Sequence, residues 1–155
     1  MKMYARVEGR SMESLLRDGQ FIIYSNSGKY LTGHILVYHD NGKRIAHRLL
    51  MIIKNHYIVA GDNCLRFERI REDCICGKVD YIVDDGITYV MKRGFLCRIL
   101  SLWVGWSVLT NKLLSPYREG NTRNKATIWL YNFNIALRDA LQKAYLKRCV
   151  AEKIV

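Results

Sequence analysis

The sequence predicts a mainly β domain with an α-helical appendage at its C-terminal end, and three observations lead there. Residues 21–91 hold short runs rich in β-branched and aromatic residues, broken at close intervals by glycine, asparagine and aspartate. Asn41-Gly42 lies between two such runs and favours a type I′ hairpin, because both central residues must tolerate positive φ. From Phe95 the turn signals thin out and apolar residues fall at helical spacing.

A chain of 155 residues is long enough for one ordinary domain and a short appendage. Half of the residues are hydrophobic and one is proline, which argues for a packed protein over a disordered one. The expected boundary divides residues 1–93 from a helical segment, 94–155, packed on them. No internal repeat is evident.

Taken in order, Ser14 to Arg17 has room for one helical turn, which Asp18-Gly19 ends. Phe21 to Tyr24 and Ile35 to Tyr38 are predicted strands, separated by the turn-rich Ser25-Asn26-Ser27-Gly28. The hairpin at Asp40-Asn41-Gly42-Lys43 returns Ile45 to Ile53, carrying His47, along Ile35 to Tyr38. Which face His47 presents depends on register, since a slip of one residue reverses it. Tyr57 to Ala60 is a short strand, Gly61-Asp62-Asn63 a loop, and Cys76 to Val83 pairs with Ile87 to Met91 about Asp84-Asp85-Gly86. Many short strands of this kind suggest a coiled or barrel-like sheet.

Phe95 to Leu114 is apolar almost all round and contains Trp103 and Trp106. Its uncharged stretch from Ile99 to Thr110 is well short of the ~20 residues a spanning helix needs. Two placements stay open: a helix packed on the sheet, or an interfacial helix flanked by Arg98 and Lys112. Ser115-Pro116 is expected to stop it, with a polar linker over Glu119 to Asn124. A last amphipathic helix is predicted from Lys125 to Cys149. Ala126, Trp129, Leu130, Phe133, Leu137, Ala140, Leu141 and Ala144 form its core-facing stripe, and Arg138, Lys143, Lys147 and Arg148 its solvated face.

The chemistry-bearing residues lie in the first half. Gly9-Arg10-Ser11-Met12 is a tight turn that can present a serine hydroxyl, a weak nucleophile until a base takes its proton. His47 is the candidate base, because imidazole titrates near neutrality. Asp62 can hold the ring in the required tautomer, with Glu68 in reserve. Asp62 and Asn63 also suit a loop turn bonded to its own backbone, a role compatible with the first. Arg48 reads as a holder of a nearby acid or backbone group. His34, His39 and His56 read as exposed histidines or as satisfied ones on strands.

The ordered segments GRSMESLLRDGQFIIYS, GHILVYH, IAHRLL, YIVAGDN and ICGKVDYIV, from Gly9 to about Val83, resemble the boxes of the S24/S26 serine peptidases, specifically type I signal peptidases. His47-Arg48 is similar to the base box of the archaeal and endoplasmic-reticulum branch. The resemblance implies a coiled β-sheet peptidase fold and cleavage after small residues in an extended peptide or precursor. It implies Ser11 as nucleophile and Met12 beside the pocket for the small side chain. It implies no cofactor and no metal. The chain departs from the pattern at Gly9, Ser14, His34 and Phe67. Gly9 lacks the hydroxyl that helps bind the oxyanion in many members, so that role passes to backbone amides, the Ser11 N–H first. The other reading of these departures is a catalytically silent binding module whose basic tail docks on membrane or nucleic acid.

The net charge is +11, and the basic excess is concentrated late in the chain. Lys and Arg outnumber Asp and Glu by 15 to 11 in residues 1–94 and by 10 to 3 in residues 95–155. Such a surface suits an anionic membrane, an acidic peptide or nucleic acid, with nucleic acid the least favoured beside a peptidase. The opening MKMYARVEGR has no apolar core of the kind a leader or anchor needs, so the expected location is cytoplasmic or peripheral at a membrane. Five cysteines without a leader point to a reducing compartment. Cys74 and Cys76 form a single C-x-C, short of the two ligand pairs usual in structural zinc sites.

Overall fold

The computed structural model describes residues 1–13, 15–64, 66–91, 95–119, 125–148 and 151–152. Ser14, residues 120–124, Cys149, and the side chains of Lys112, Ala126 and Arg148, all singled out in the sequence, lie outside that description.

The strands are β1 (Lys2–Arg6), β2 (Phe21–Ser25), β3 (Ile35–Asp40), β4 (Lys43–Ile53), β5 (His56–Ala60), β6 (Glu68–Arg71), β7 (Ile75–Asp84) and β8 (Ile87–Val90). Every pairing is antiparallel, in the order β1-β2-β7-β3-β4-β5-β6, with β8 beside β7. A two-residue strand β9 (Ala151–Glu152) follows the helices and pairs with β8, an addition to the purely helical appendage expected. The protein is thus mainly β with two C-terminal helices, as the sequence predicts.

The hairpin signals hold. Asn41 and Gly42 both take positive φ, 47° and 77°, and so do Asp85 and Gly86 between β7 and β8. Two strands went unpredicted. KMYAR of β1 and ERIR of β6 are charged and sit at the two ends of that strand order, where charge discourages further pairing and masks the β signal.

Both faces of β4 are buried from His47 to Leu50, so strict alternation of apolar and polar residues fails there. On one face Leu49 packs with Leu36, Tyr38, Tyr57, Val59, Ile70 and Ile75. The other face meets the helices α1 (Phe95–Glu119) and α2 (Lys125–Arg148). There Leu50 and Ala60 pack with Leu100, Val104 and Val108, each buried Leu or Val side chain contributing roughly 1.5–3 kcal/mol. Cys97 and Tyr145 join the larger cluster built on Met12, Leu15, Leu16, Ile22, Ile35, Val37, Val79 and Ile82.

Two helix expectations are corrected. α1 does not stop at Ser115-Pro116 but continues to Glu119; a proline's own φ is helical, and its missing N–H removes one backbone hydrogen bond. The expected apolar stripe of α2 does not all face the core. Trp129 and Phe133 are exposed, whereas Asn134, Gln142 and Tyr145 are buried; the Gln142 amide donates to Asp62 and the Asn134 amide to Thr110. Among the described residues, no helix is long and apolar enough to cross a membrane.

Candidate active site

The two-residue turn at Asn41-Gly42 sets the register of β3 against β4, pairing Leu36 with His47 and Tyr38 with Ile45. Tyr38 and His47 therefore share a face, one pair apart. Across β5, the pairs Leu49–Val59 and Val59–Glu68 bring Glu68 to the same face. His47 is 4% exposed. Its Nδ1 lies 2.9 Å from the Tyr38 hydroxyl and 3.3 Å from Glu68 Oε2, and the Tyr38 hydroxyl donates to that same carboxylate oxygen. Since the phenol proton is directed at Glu68, the imidazole must donate Nδ1–H to the phenol oxygen, which leaves Nε2 as the basic nitrogen.

Burial lowers the pKa of His47, and the Glu68 carboxylate, by charge and hydrogen bonding, opposes that shift; the net direction is down. The ring is consequently neutral at physiological pH, the form a base requires. Burial and the hydrogen bond to Glu68 hold the Tyr38 phenol far above its ordinary range, so it stays protonated.

The other edge of the ring faces Gly61. A methyl group built on Gly61 would lie 3.0 Å from His47 Nε2, 2.6 Å from the Ser11 carbonyl oxygen and 2.7 Å from Cys64 Sγ. The absence of a side chain at Gly61 is what lets the serine loop close on the histidine edge. Burial raises the pKa of the Cys64 thiol, so it stays protonated beside the ring.

The serine loop leaves the sheet after β1 and returns to β2. Gly9, at φ 90°, reverses the chain while its N–H donates to Asp18 Oδ1 at 2.9 Å. The Met12 carbonyl then accepts from the N–H groups of Leu15 and Leu16, a turn that begins before the Ser14 to Arg17 expected. Asn63 clamps the loop from outside: its N–H donates to the Ser11 carbonyl at 2.8 Å and its amide to the Arg10 carbonyl at 3.2 Å. Met12, expected beside the substrate pocket, is buried with Leu15 and Leu16, and its sulfur accepts the Asp62 N–H at 3.2 Å. Ser11 is half-buried, and no hydrogen bond joins it to His47 among the described residues.

Asp62 does not orient His47, and that expectation is corrected. Arg48 follows His47 and points to the opposite face of β4, where it pairs with Ala60, and Asp62 lies just beyond Ala60 on that face. Arg48 Nε and Nη2 each donate to one Asp62 carboxylate oxygen at 2.6 Å, with both side chains fully buried. This bidentate pair neutralises the carboxylate in a place water does not reach. Arg48 Nη1 donates to the Gly33 carbonyl at 3.1 Å. From α2, Gln142 Nε2 donates to Asp62 Oδ2 at 2.9 Å, and Arg138 Nη1 donates to the Asp62 carbonyl at 3.1 Å and to Asn63 Oδ1 at 2.9 Å. The helical appendage thus grips the Gly61-Asp62-Asn63 loop, which in turn grips the serine loop.

His34, which stands where the resemblance expects an aspartate, accepts the Leu31 N–H on Nδ1 at 3.1 Å, as a carboxylate would. Sequence reasoning missed Tyr38, Gln142 and the contact of Arg138 with the loop. The Asn-Gly turn was a sufficient signal for Tyr38, because it fixes which side chains flank His47. No signal in the sequence connects Gln142 with Asp62. No protein-family model matches this chain, and no curated protein matches it significantly.

Proposed function

We propose that this chain is a serine endopeptidase of the signal-peptidase kind, with Ser11 as nucleophile and His47 as general base, cutting an extended precursor after a small residue. The observation that carries the reading is the two-edged setting of His47. Its Nδ1 edge is held by Tyr38 and Glu68, and its Nε2 edge lies against Gly61 together with the backbone of Ser11.

In this mechanism Nε2 takes the proton from Ser11 Oγ as the oxygen bonds to the scissile carbonyl carbon. The resulting imidazolium keeps its Nδ1–H on the Tyr38 oxygen, with the Glu68 carboxylate 3.3 Å away to balance the new charge. The oxyanion is received by backbone N–H groups, that of Ser11 first, at the start of the helical turn. As the carbon–nitrogen bond breaks, Nε2 returns its proton to the leaving amine. Water then enters, gives a proton to Nε2 and its oxygen to the acyl carbon; the bond from that carbon to Ser11 Oγ breaks, and Nε2 returns the proton to Oγ. Gly61-Asp62-Asn63 sets the loop spacing, a positioning role. No step calls for a metal or a cofactor. The substrate class is a leader-bearing peptide or protein precursor, met in the cytoplasm or at a membrane surface.

The test compares protein N-termini by mass spectrometry in cells expressing wild type, Ser11→Ala or His47→Ala. New termini preceded by a small residue, present only with wild type, are the expected result. Identical termini in all three, in cells that also express a panel of leader-bearing precursors with a small residue at the cleavage position, would overturn the reading in favour of a silent binding module.

A further inference from the structure

We infer that the two helices form a docking surface for an anionic lipid bilayer, which holds the protein at the membrane without crossing it. The inference does not depend on the catalytic reading. On α1, Phe95, Leu102, Trp106 and Leu109 recur at helical spacing and are 76%, 72%, 54% and 44% exposed. On α2, Trp129 and Phe133 are 65% and 45% exposed and stack at 5.4 Å between ring centroids. Phe133 meets Trp103 of α1 edge to face at 6.5 Å, so the aromatic surface continues from one helix to the other.

Apolar side chains turned outward on two adjacent helices are a large departure from a water-facing surface, and α2 makes it at the expense of burying Asn134 and Gln142. Trp, Phe and Leu on one face beside basic residues are what an interfacial helix presents to the boundary between headgroups and acyl chains. The charges near this face decide among possible occupants. Arg98, Lys143 and Lys147 are exposed, and the acid Asp139 is paired with Arg138. A second copy of this chain would bring the same cations against these, in a protein of net charge +11. An anionic lipid surface would neutralise them while it covers the apolar residues.

All three tryptophans of the chain lie on these helices, at 103, 106 and 129, so tryptophan emission excited at the red edge reports on the two helices. Full-length protein is mixed with phosphatidylcholine vesicles with and without phosphatidylglycerol, and binding is followed by co-sedimentation and by the emission maximum. Vesicles containing phosphatidylglycerol are expected to bind the protein and shift emission to the blue, and added salt to weaken binding. Substituting Leu102→Ser and Leu109→Ser together is expected to reduce partitioning about tenfold or more with the circular dichroism unchanged. Ser11→Ala, which removes none of the exposed apolar side chains, should bind as wild type does. The inference is overturned by absence of binding to phosphatidylglycerol vesicles, or by binding that the leucine variant leaves intact. It is also overturned by sedimentation showing a dimer that the leucine substitutions dissolve, which would make a second copy the occupant.

Discussion

Glu68 Oε2 stands 3.3 Å from Nδ1 of His47, and the Tyr38 phenol bridges the two. The carboxylate opposes the downward pull of burial on the histidine, so removing its charge should lower the His47 pKa further. Glu68→Gln is expected to cut kcat/KM roughly 10²-fold or more and to move the acid limb of the pH profile to lower pH. Tyr38→Phe should cost roughly tenfold in kcat and leave that limb closer to its original position, because the Glu68 charge stays. Rate profiles of both variants on a cleaved precursor peptide provide the check, and an acid limb unmoved in Glu68→Gln would remove Glu68 from the site.

Stability should follow the same histidine. In the folded protein His47 has a pKa below the ordinary value of 6.5, so the fold prefers the neutral ring. As pH falls through the ordinary histidine range, the unfolded chain takes up the proton first, and stability is lost with it. Urea midpoints measured from pH 7.5 down to 5.5 should therefore decline, and the decline should be shallower in His47→Gln.

Asp62 and Arg48 call for a different signature. Each is buried with the other as its charge partner, and removing one leaves an uncompensated charge in the interior. Asp62→Asn and Arg48→Met are each expected to destabilise the protein by about 3–5 kcal/mol, and the double variant by much less than the sum. Denaturant unfolding of the three proteins measures this directly. Additive losses would mean that the pair does not act as a unit.

Gly61→Ala tests the closeness of the serine loop to the histidine. The added methyl group meets a backbone oxygen at 2.6 Å, which cannot swing aside as a side chain would. Loss of about 1–3 kcal/mol of stability is expected, together with a fall in kcat larger than that seen for Gly42→Ala in the hairpin turn. Comparison of the two alanine variants separates disruption of the site from a general backbone effect.

Much of the sheet was legible because its turns carry their own chemistry. Asn41-Gly42 and Asp85-Gly86 announce hairpins, and the first fixes the register that decides where His47 points. The acid partner was misassigned for a reason of geometry. Asp62 and Glu68 lie close together in the chain, but β5 and β6 deliver them to opposite faces of the sheet, and single-residue alternation between His47 and Arg48 sorts one acid to each. Reading that requires the β5–β6 pairing, and β6 is four residues with one buried side chain. The faces of α2 were illegible for a related reason: its stripe of Trp129 and Phe133 looks like core until the polar loop that receives Arg138 and Gln142 is known.

The loop at residues 61–63 is gripped from both directions along the chain. Met12 reaches it across 50 positions on one side and Gln142 across 80 on the other. A ribosome adding ~5–20 residues per second therefore makes the proposed nucleophile and base well before the helix that steadies the loop between them. The 61–63 loop therefore acquires its contacts with α2 only after every residue it touches in the serine loop and in β4 has been made.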